Sequence, residues 1–297
     1  MTQPADDPPT ALTVRRLHID LTQPFGREWN RGHAFLTAFM NALSMSFPVG
    51  EQFFIDAVKA GAAHLPDTPE HTALRQAARI FVGQEATHRH LHTLYNRQLS
   101  EQGLVNHWHG RALRRIERLR SSLARQGGRR ACLAELAVTA AYEHFTAMMA
   151  EEVLGRIGQP GDWLAHAEPT PQLLWRWHAA EEAEHKSVAF DLYTALGGHH
   201  RGRVQAYLMV MGFFCVDATQ QTFSNLYRSG QLFRPTTWGQ GLGFLLGRHG
   251  VVWSFMRPTL AYLRPGFHPG QHGSPALADN WLKAHAEVWK PVGQAGR

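Results

Sequence analysis

Two short motifs constrain this chain more than anything else in it: Glu85-Ala86-Thr87-His88 and Glu182-Ala183-Glu184-His185. Each is a Glu-x-x-His within a stretch of helical periodicity. Residues three apart share a helix face, so each motif aims a carboxylate and an imidazole at one point. Helical bundles that hold two metal ions in their core combine Glu-x-x-His from two helices with a lone Glu from each of two others. Glu51 and Glu143 are the lone-Glu candidates. Four carboxylates and two imidazoles inside a helical protein imply redox or hydrolytic chemistry at a metal pair.

One Glu-x-x-His arises easily by chance in a chain with 19 histidines. Order and spacing carry the argument instead. Glu51 precedes Glu85 by 34 positions and Glu143 precedes Glu182 by 39, so the sequence reads as two helical hairpins of one plan. The surroundings are apolar: Ile80, Phe81 and Val82 before Glu85, and Trp175, Trp177 and Ala180 before Glu182. A buried carboxylate costs several kcal/mol unless a cation or partner compensates, and a metal is the economical compensation.

Further groups fall in phase. His92 lies four beyond His88 and His178 four before Glu182. They are read as extra ligands, as donors that orient the carboxylates, or as ordinary buried histidines. Glu181 points about 100° away from Glu182 and is read as surface. It is nonetheless four residues from His185, so the choice between Glu181 and Glu182 as ligand stays open. Glu151 and Glu152 read as a solvated face, and His144 as pointing away from Glu143.

Strand signals are scarce and helical periodicity is widespread. The expected elements are a helix over 31–46 stopped by Pro48 and a second that starts at Glu51 and ends near Pro66. A third runs from Asp67 to about Gly103, and an arginine-rich helix reaches Gly127-Gly128. Two more cover 129–156 and 171–196, the last stopped by Gly197-Gly198. The fold class is therefore all-α. Residues 1–30 form an N-terminal extension, 31–198 the metal-binding bundle, and 199–297 a C-terminal helical extension that packs on it.

Composition narrows the partners. Hydrophobic residues are 44% and charged ones 18%, which suits a globular chain. Net charge is +6, with Arg111, Arg114, Arg115, Arg118, Arg120, Arg125, Arg129 and Arg130 crowded in one segment. No aromatics interleave them as a single-strand platform requires, so the segment reads as a solvated connector and no nucleic-acid partner is expected. Only Cys132 and Cys215 occur, which excludes a disulfide scaffold and a thiolate zinc site and points to a reducing cytoplasm. Met1 to Pro9 shows no signal-peptide pattern. The apolar run Tyr207 to Val216 is too short to span a bilayer, and Leu242 to Met256 is interrupted by Arg248 and His249. Peripheral membrane contact stays open.

Four blocks carry a resemblance. They are Pro48-Val49-Gly50-Glu51-Gln52-Phe53-Phe54; Gly83-Gln84-Glu85-Ala86-Thr87-His88 with Tyr95-Asn96; Tyr142-Glu143-His144-Phe145-Thr146-Ala147; and Trp177-His178-Ala179-Ala180-Glu181-Glu182-Ala183-Glu184-His185-Lys186-Ser187-Val188-Ala189-Phe190-Asp191. Over about Pro48 to Tyr193 the chain resembles a bacterial family named for predicted metal-dependent hydrolysis. Its pattern also resembles the ferritin-like di-iron carboxylate proteins. That resemblance implies a ferritin-like four-helix bundle with additional N- and C-terminal helices, and Glu51, Glu85, His88, Glu143, Glu182 and His185 as ligands. His92 and His178 go beyond the minimal set and resemble the histidine-enriched variants, among them the arylamine N-oxygenases.

Carboxylate with imidazole favours iron or manganese, so two ions, iron first and manganese second, are the expected cofactors. The leading expectation is a di-iron oxidase or oxygenase acting with dioxygen on a small apolar substrate. Glu51, Glu85, Glu143 and Glu182 would be its catalytic carboxylates and a separate protein its electron donor. The alternative is a hydrolase that uses a metal-activated water; the second alternative is a metal-storage or metal-sensing bundle. A homo-oligomer is left open.

Overall fold

The apolar stretches that flank the Glu and His motifs fold as long helices, and four of them enclose those motifs. The structure is a computed structural model and describes residues 12–124 and 127–292. The polar start, Met1 to Pro9, and Arg125 lie outside the described residues. In chain order the helices are α1 (Ala34–His64), α2 (Thr72–Glu101), α3 (His107–Leu123), α4 (Gly128–Gly155) and α5 (Pro169–His185). They continue as α6 (Val188–Ala195), α7 (His200–Arg228), α8 (Pro235–Leu246), α9 (Val251–Tyr262) and α10 (Pro275–Ala284). The class is all-α, as the sequence predicts. The one sheet among the described residues pairs β1 (Arg15–Leu17) antiparallel with β2 (Trp289–Pro291), Arg16 opposite Lys290. Three-residue strands carry too few alternating positions to show in the sequence.

α1 packs against α2, and α4 against α5, as the two-hairpin reading requires. α3 connects them. Arg111 and Arg115 on α3 bind Asp217 of α7, and Arg120 reaches Asp56 and Glu135, so three of the connector's arginines tie helices together. α7 packs on α1 and α4. Two apolar clusters draw on opposite halves of α1: Leu36 to Met45 in one and Phe53 to Val58 in the other. Glu51 falls between them.

Two expected helix boundaries are corrected. Pro48 does not stop a helix; α1 runs through it for 31 residues. Proline removes one main-chain donor and so strands the carbonyl four residues back, here that of Ser44. The Asn96 side-chain amide donates to this carbonyl at 2.8 Å, Asn106 covers that of Met45 at 2.7 Å, and Ser46 covers that of Leu43 at 2.7 Å. Glu51 therefore sits mid-helix rather than in a first turn. The helix over 171–196 is instead two, broken at Lys186-Ser187 with no glycine or proline to mark it. Its predicted stop does hold: Gly197 has φ +78°, and the Gly198 amide closes on the Tyr193 carbonyl at 2.8 Å.

Candidate metal centre

α1 supplies Glu51, α2 supplies Glu85, His88 and His92, and α4 supplies Glu143. α5 supplies His178, Glu181, Glu182 and His185. All nine are buried, none more than 4% exposed. Donor atoms of Glu85, His88, Glu182 and His185 lie within 4.8 Å of one another. A transition ion holds such donors at about 2.0–2.2 Å, so donors around one ion stand no more than ~4.4 Å apart. The four need only draw in by a few tenths of an ångström.

The imidazoles are committed in direction. His88 Nε2–H donates to Glu181 Oε2 at 3.0 Å, and His185 Nδ1–H donates to Glu143 Oε2 at 2.9 Å. When ionised beside a bound cation, Glu181 and Glu143 only accept, and those nitrogens then carry the protons. The opposite nitrogens, His88 Nδ1 and His185 Nε2, have no hydrogen-bond partner. His88 Nδ1 faces Glu182 Oε1 at 3.4 Å and His185 Nε2 faces Glu85 Oε1 at 3.3 Å. Both oxygens of Glu51, both of Glu85, Glu143 Oε1 and Glu182 Oε2 are likewise unpartnered. Buried polar atoms that confront one another without a hydrogen bond need a proton or a cation between them. The residues fit a metal ion.

Glu181 is not on the surface, contrary to the sequence reading; it is fully buried and holds His88. Arg15 of β1 binds Glu181 at 3.2 Å and Glu184 at 2.6 Å, and Gln84 also donates to Glu184, at 3.1 Å. Nothing in the sequence near Arg15 marks it for this place. Glu151 and Glu152 pair with Lys186 and Arg156, apart from the cluster, and His144 turns to the Pro258 carbonyl.

Electrostatics follow from this crowding. Burial, with Glu85 and Glu182 nearby, pushes Glu51 well above the usual carboxylate range. Burial and Glu182 do the same to Glu143. Burial raises Glu85 to about 7. Burial alone would raise Glu182 as well, but His185, His178 and His88 outweigh it and hold it well below the usual range. Burial would lower His88, yet its bond to Glu181 and the nearby Glu182 and Glu85 carboxylates raise it. Without a metal the centre keeps protons to limit its own negative charge, and a bound cation takes their place.

Glu51, His92 and His178 form a second group of candidate donors. Here His92 Nε2 and His178 Nδ1 already share a hydrogen bond of 2.8 Å. His178 Nε2 reaches Glu182 Oε1 at 2.9 Å, and His92 Nδ1 meets Ser44 Oγ at 2.8 Å. An ion among these three has to displace the bond between the rings. Burial, with His88 close by, lowers His178 to about 4, so its ring is neutral at pH 7. The Phe47 ring stacks on His178 at 4.8 Å.

A family model described as predicted metal-dependent hydrolase matches residues 13–273. The chain belongs to that family. The match takes in Arg15 and α7 to α9 as well as the four blocks legible in sequence. No curated protein and no solved structure matches the chain, so the ferritin-like resemblance gains no support from a likeness of fold. Family membership overturns the expectation of an oxidase or oxygenase: the family is described by hydrolysis. The donor set alone was compatible with either chemistry. No helix among the described residues is long and apolar enough to cross a membrane.

Proposed function

We propose that this chain is a hydrolase whose ion sits among Glu85, His88, Glu182 and His185, and whose substrate lies in an apolar cavity beside them. One observation carries the reading. Each Glu-x-x-His imidazole gives its outer N–H to a buried carboxylate and turns a bare nitrogen toward a carboxylate oxygen of the facing motif. This is how metal-binding histidines are held in one tautomer. A divalent first-row ion supplies, when bound, an acidified water and a polarised carbonyl.

The chain's own groups have separable tasks. Glu181 and Glu143 hold the two rings. Glu51, unpartnered on both oxygens, accepts the proton of the attacking water and returns it to the leaving group. Its neighbours Val49 and Gly50 line a cavity of about 160 Å³ whose walls include Phe53, Phe54, Phe145 and Phe213. A smaller void of about 30 Å³ adjoins His178 and Glu182. Phe47, Thr146 and Met149 line both, so they form the partition between the cavity and the centre. An ester or amide with an apolar acyl group matches these walls, which exclude water from the reacting carbonyl.

The test is hydrolysis of nitrophenyl esters and anilides of increasing chain length under anaerobic conditions, with chelated and metal-restored protein. Restored protein is expected to cleave and chelated protein to be inert. Glu51→Gln should keep the metal and lose about 100-fold or more in rate. Metal-restored protein that cleaves nothing without dioxygen, or a fully active Glu51→Gln variant, would sink the assignment.

A further inference from the structure

We infer that the outer face of α7, α8 and α9 docks on an anionic lipid bilayer. Three helices each carry an exposed apolar stripe at helical spacing. Met209, Phe213, Val216, Phe223 and Tyr227 lie along α7; Trp238, Leu242 and Leu246 along α8; Trp253, Met256 and Leu260 along α9. Leu242 is 60% exposed, Trp253 is 52% exposed, and Phe233, in the connection between α7 and α8, is 84% exposed.

The stripes join. Phe223 packs on Trp238 with ring centroids 5.2 Å apart, linking α7 to α8. The Trp253 indole donates to the Leu246 carbonyl at 3.0 Å, linking α8 to α9. Contiguous exposed apolar surface of this extent marks a contact site.

Charge selects the occupant. Residues 218–278 contain five arginines, Arg228, Arg234, Arg248, Arg257 and Arg264, and no aspartate or glutamate. All five are exposed. A second copy of this face would set arginine against arginine. A surface of anionic headgroups over acyl chains satisfies both the arginines and the tryptophans. α8 and α9 are 12 residues each, too short to span, so they lie in the interface. Met209 and Phe213 also line the apolar cavity beside the centre, so its mouth opens on the docked face and admits an acylated substrate from the lipid side. That last step rests on the proposed hydrolase reading; the docking itself does not.

The experiment is co-sedimentation of the full chain with phosphatidylcholine vesicles, with and without phosphatidylglycerol, at low and high salt. Wild type is expected to bind the anionic vesicles roughly tenfold or more better, and to release in salt. Two variants read the two contributions: Leu242→Ser with Trp253→Ser, and Arg228→Glu with Arg234→Glu and Arg257→Glu. Both are expected to lose at least most of that binding while keeping wild-type metal content and helical circular dichroism. Absence of vesicle binding by wild type, or undiminished binding by both variants, overturns the inference. So does a lipid-free dimer that the Leu242→Ser/Trp253→Ser variant converts to monomer, since the face would then be a contact between copies. Vesicle binding without ester hydrolysis would leave docking standing and remove only the hydrolase reading.

Discussion

The Asn96 side-chain amide donates to the Ser44 carbonyl at 2.8 Å and anchors a chain of hydrogen bonds that runs into the metal centre. The carbonyl is free because Pro48 lacks the donor that would take it. With its NH2 so committed, Asn96 turns Oδ1 to the Ser44 hydroxyl, which donates to it at 2.8 Å. Ser44 Oγ lies 2.8 Å from His92 Nδ1, and His92 Nε2 lies 2.8 Å from His178 Nδ1. His178 Nε2 faces the Glu182 carboxylate at 2.9 Å.

Asn96→Leu should therefore disturb a site it does not touch. It strands the Ser44 carbonyl and releases the Ser44 hydroxyl that meets His92, which loosens the relay at its first link. The expected loss is about 1–3 kcal/mol of stability and roughly 10–100-fold in metal affinity. Denaturant titration and competition with a chelator measure the two. A folded variant with wild-type affinity would show that the relay ends before the ion.

The ligands themselves give a sharper contrast. Glu85→Ala and His185→Ala each remove a donor from the group of four and should abolish metal occupancy in purified protein. Arg114→Ala should leave it unchanged, because Arg114 is exposed on α3. Elemental analysis of the three variants decides it; full occupancy in either of the first two contradicts the assigned donors.

How much of this was legible in the sequence depends on range. The two Glu-x-x-His motifs, the lone Glu51 and Glu143, and the in-phase His92 and His178 were visible because helical periodicity is local. The structure brings all eight together. Pro48 misled because a proline's effect on a helix is decided by what covers the stranded carbonyl, and that is Asn96, far along the chain. Glu181 misled because a helix surrounded by neighbours has no solvent face. α5 meets α2 and α4 and receives Arg15 besides, so a residue about 100° from Glu182 is still inside. Arg15 itself left no pattern, since a single arginine beside a three-residue strand has no period to detect.

Metal should stabilise the native state alone, because the donors come from α2 and α5 and disperse on unfolding. At a thousandfold excess over the dissociation constant the expected gain is about 4 kcal/mol. Calorimetry of chelated and restored protein should show a higher midpoint for the restored form, and Glu85→Ala should show none. Equal midpoints with wild type would mean that the buried lone pairs are satisfied by protons and not by a cation.

The contact between α4 and α9 should make the fold acid-sensitive through His144. Its Nε2–H donates to the Pro258 carbonyl at 3.1 Å, and its ring lies 4.7 Å from that of Tyr262. Burial lowers the imidazole to about 4, whereas in the unfolded chain it titrates near 6.5. Between those values the unfolded state binds more protons, so this group's contribution is fully present above pH 6.5 and is lost as pH falls through about 4. The loss approaches about 3 kcal/mol at its limit. Glutamine at this position still donates to the carbonyl but takes up no proton. The stability difference between wild type and His144→Gln should therefore narrow as pH falls from 7 to 4, read by denaturant titration at each pH. Two curves that stay parallel over that range would mean that His144 is not held neutral against α9.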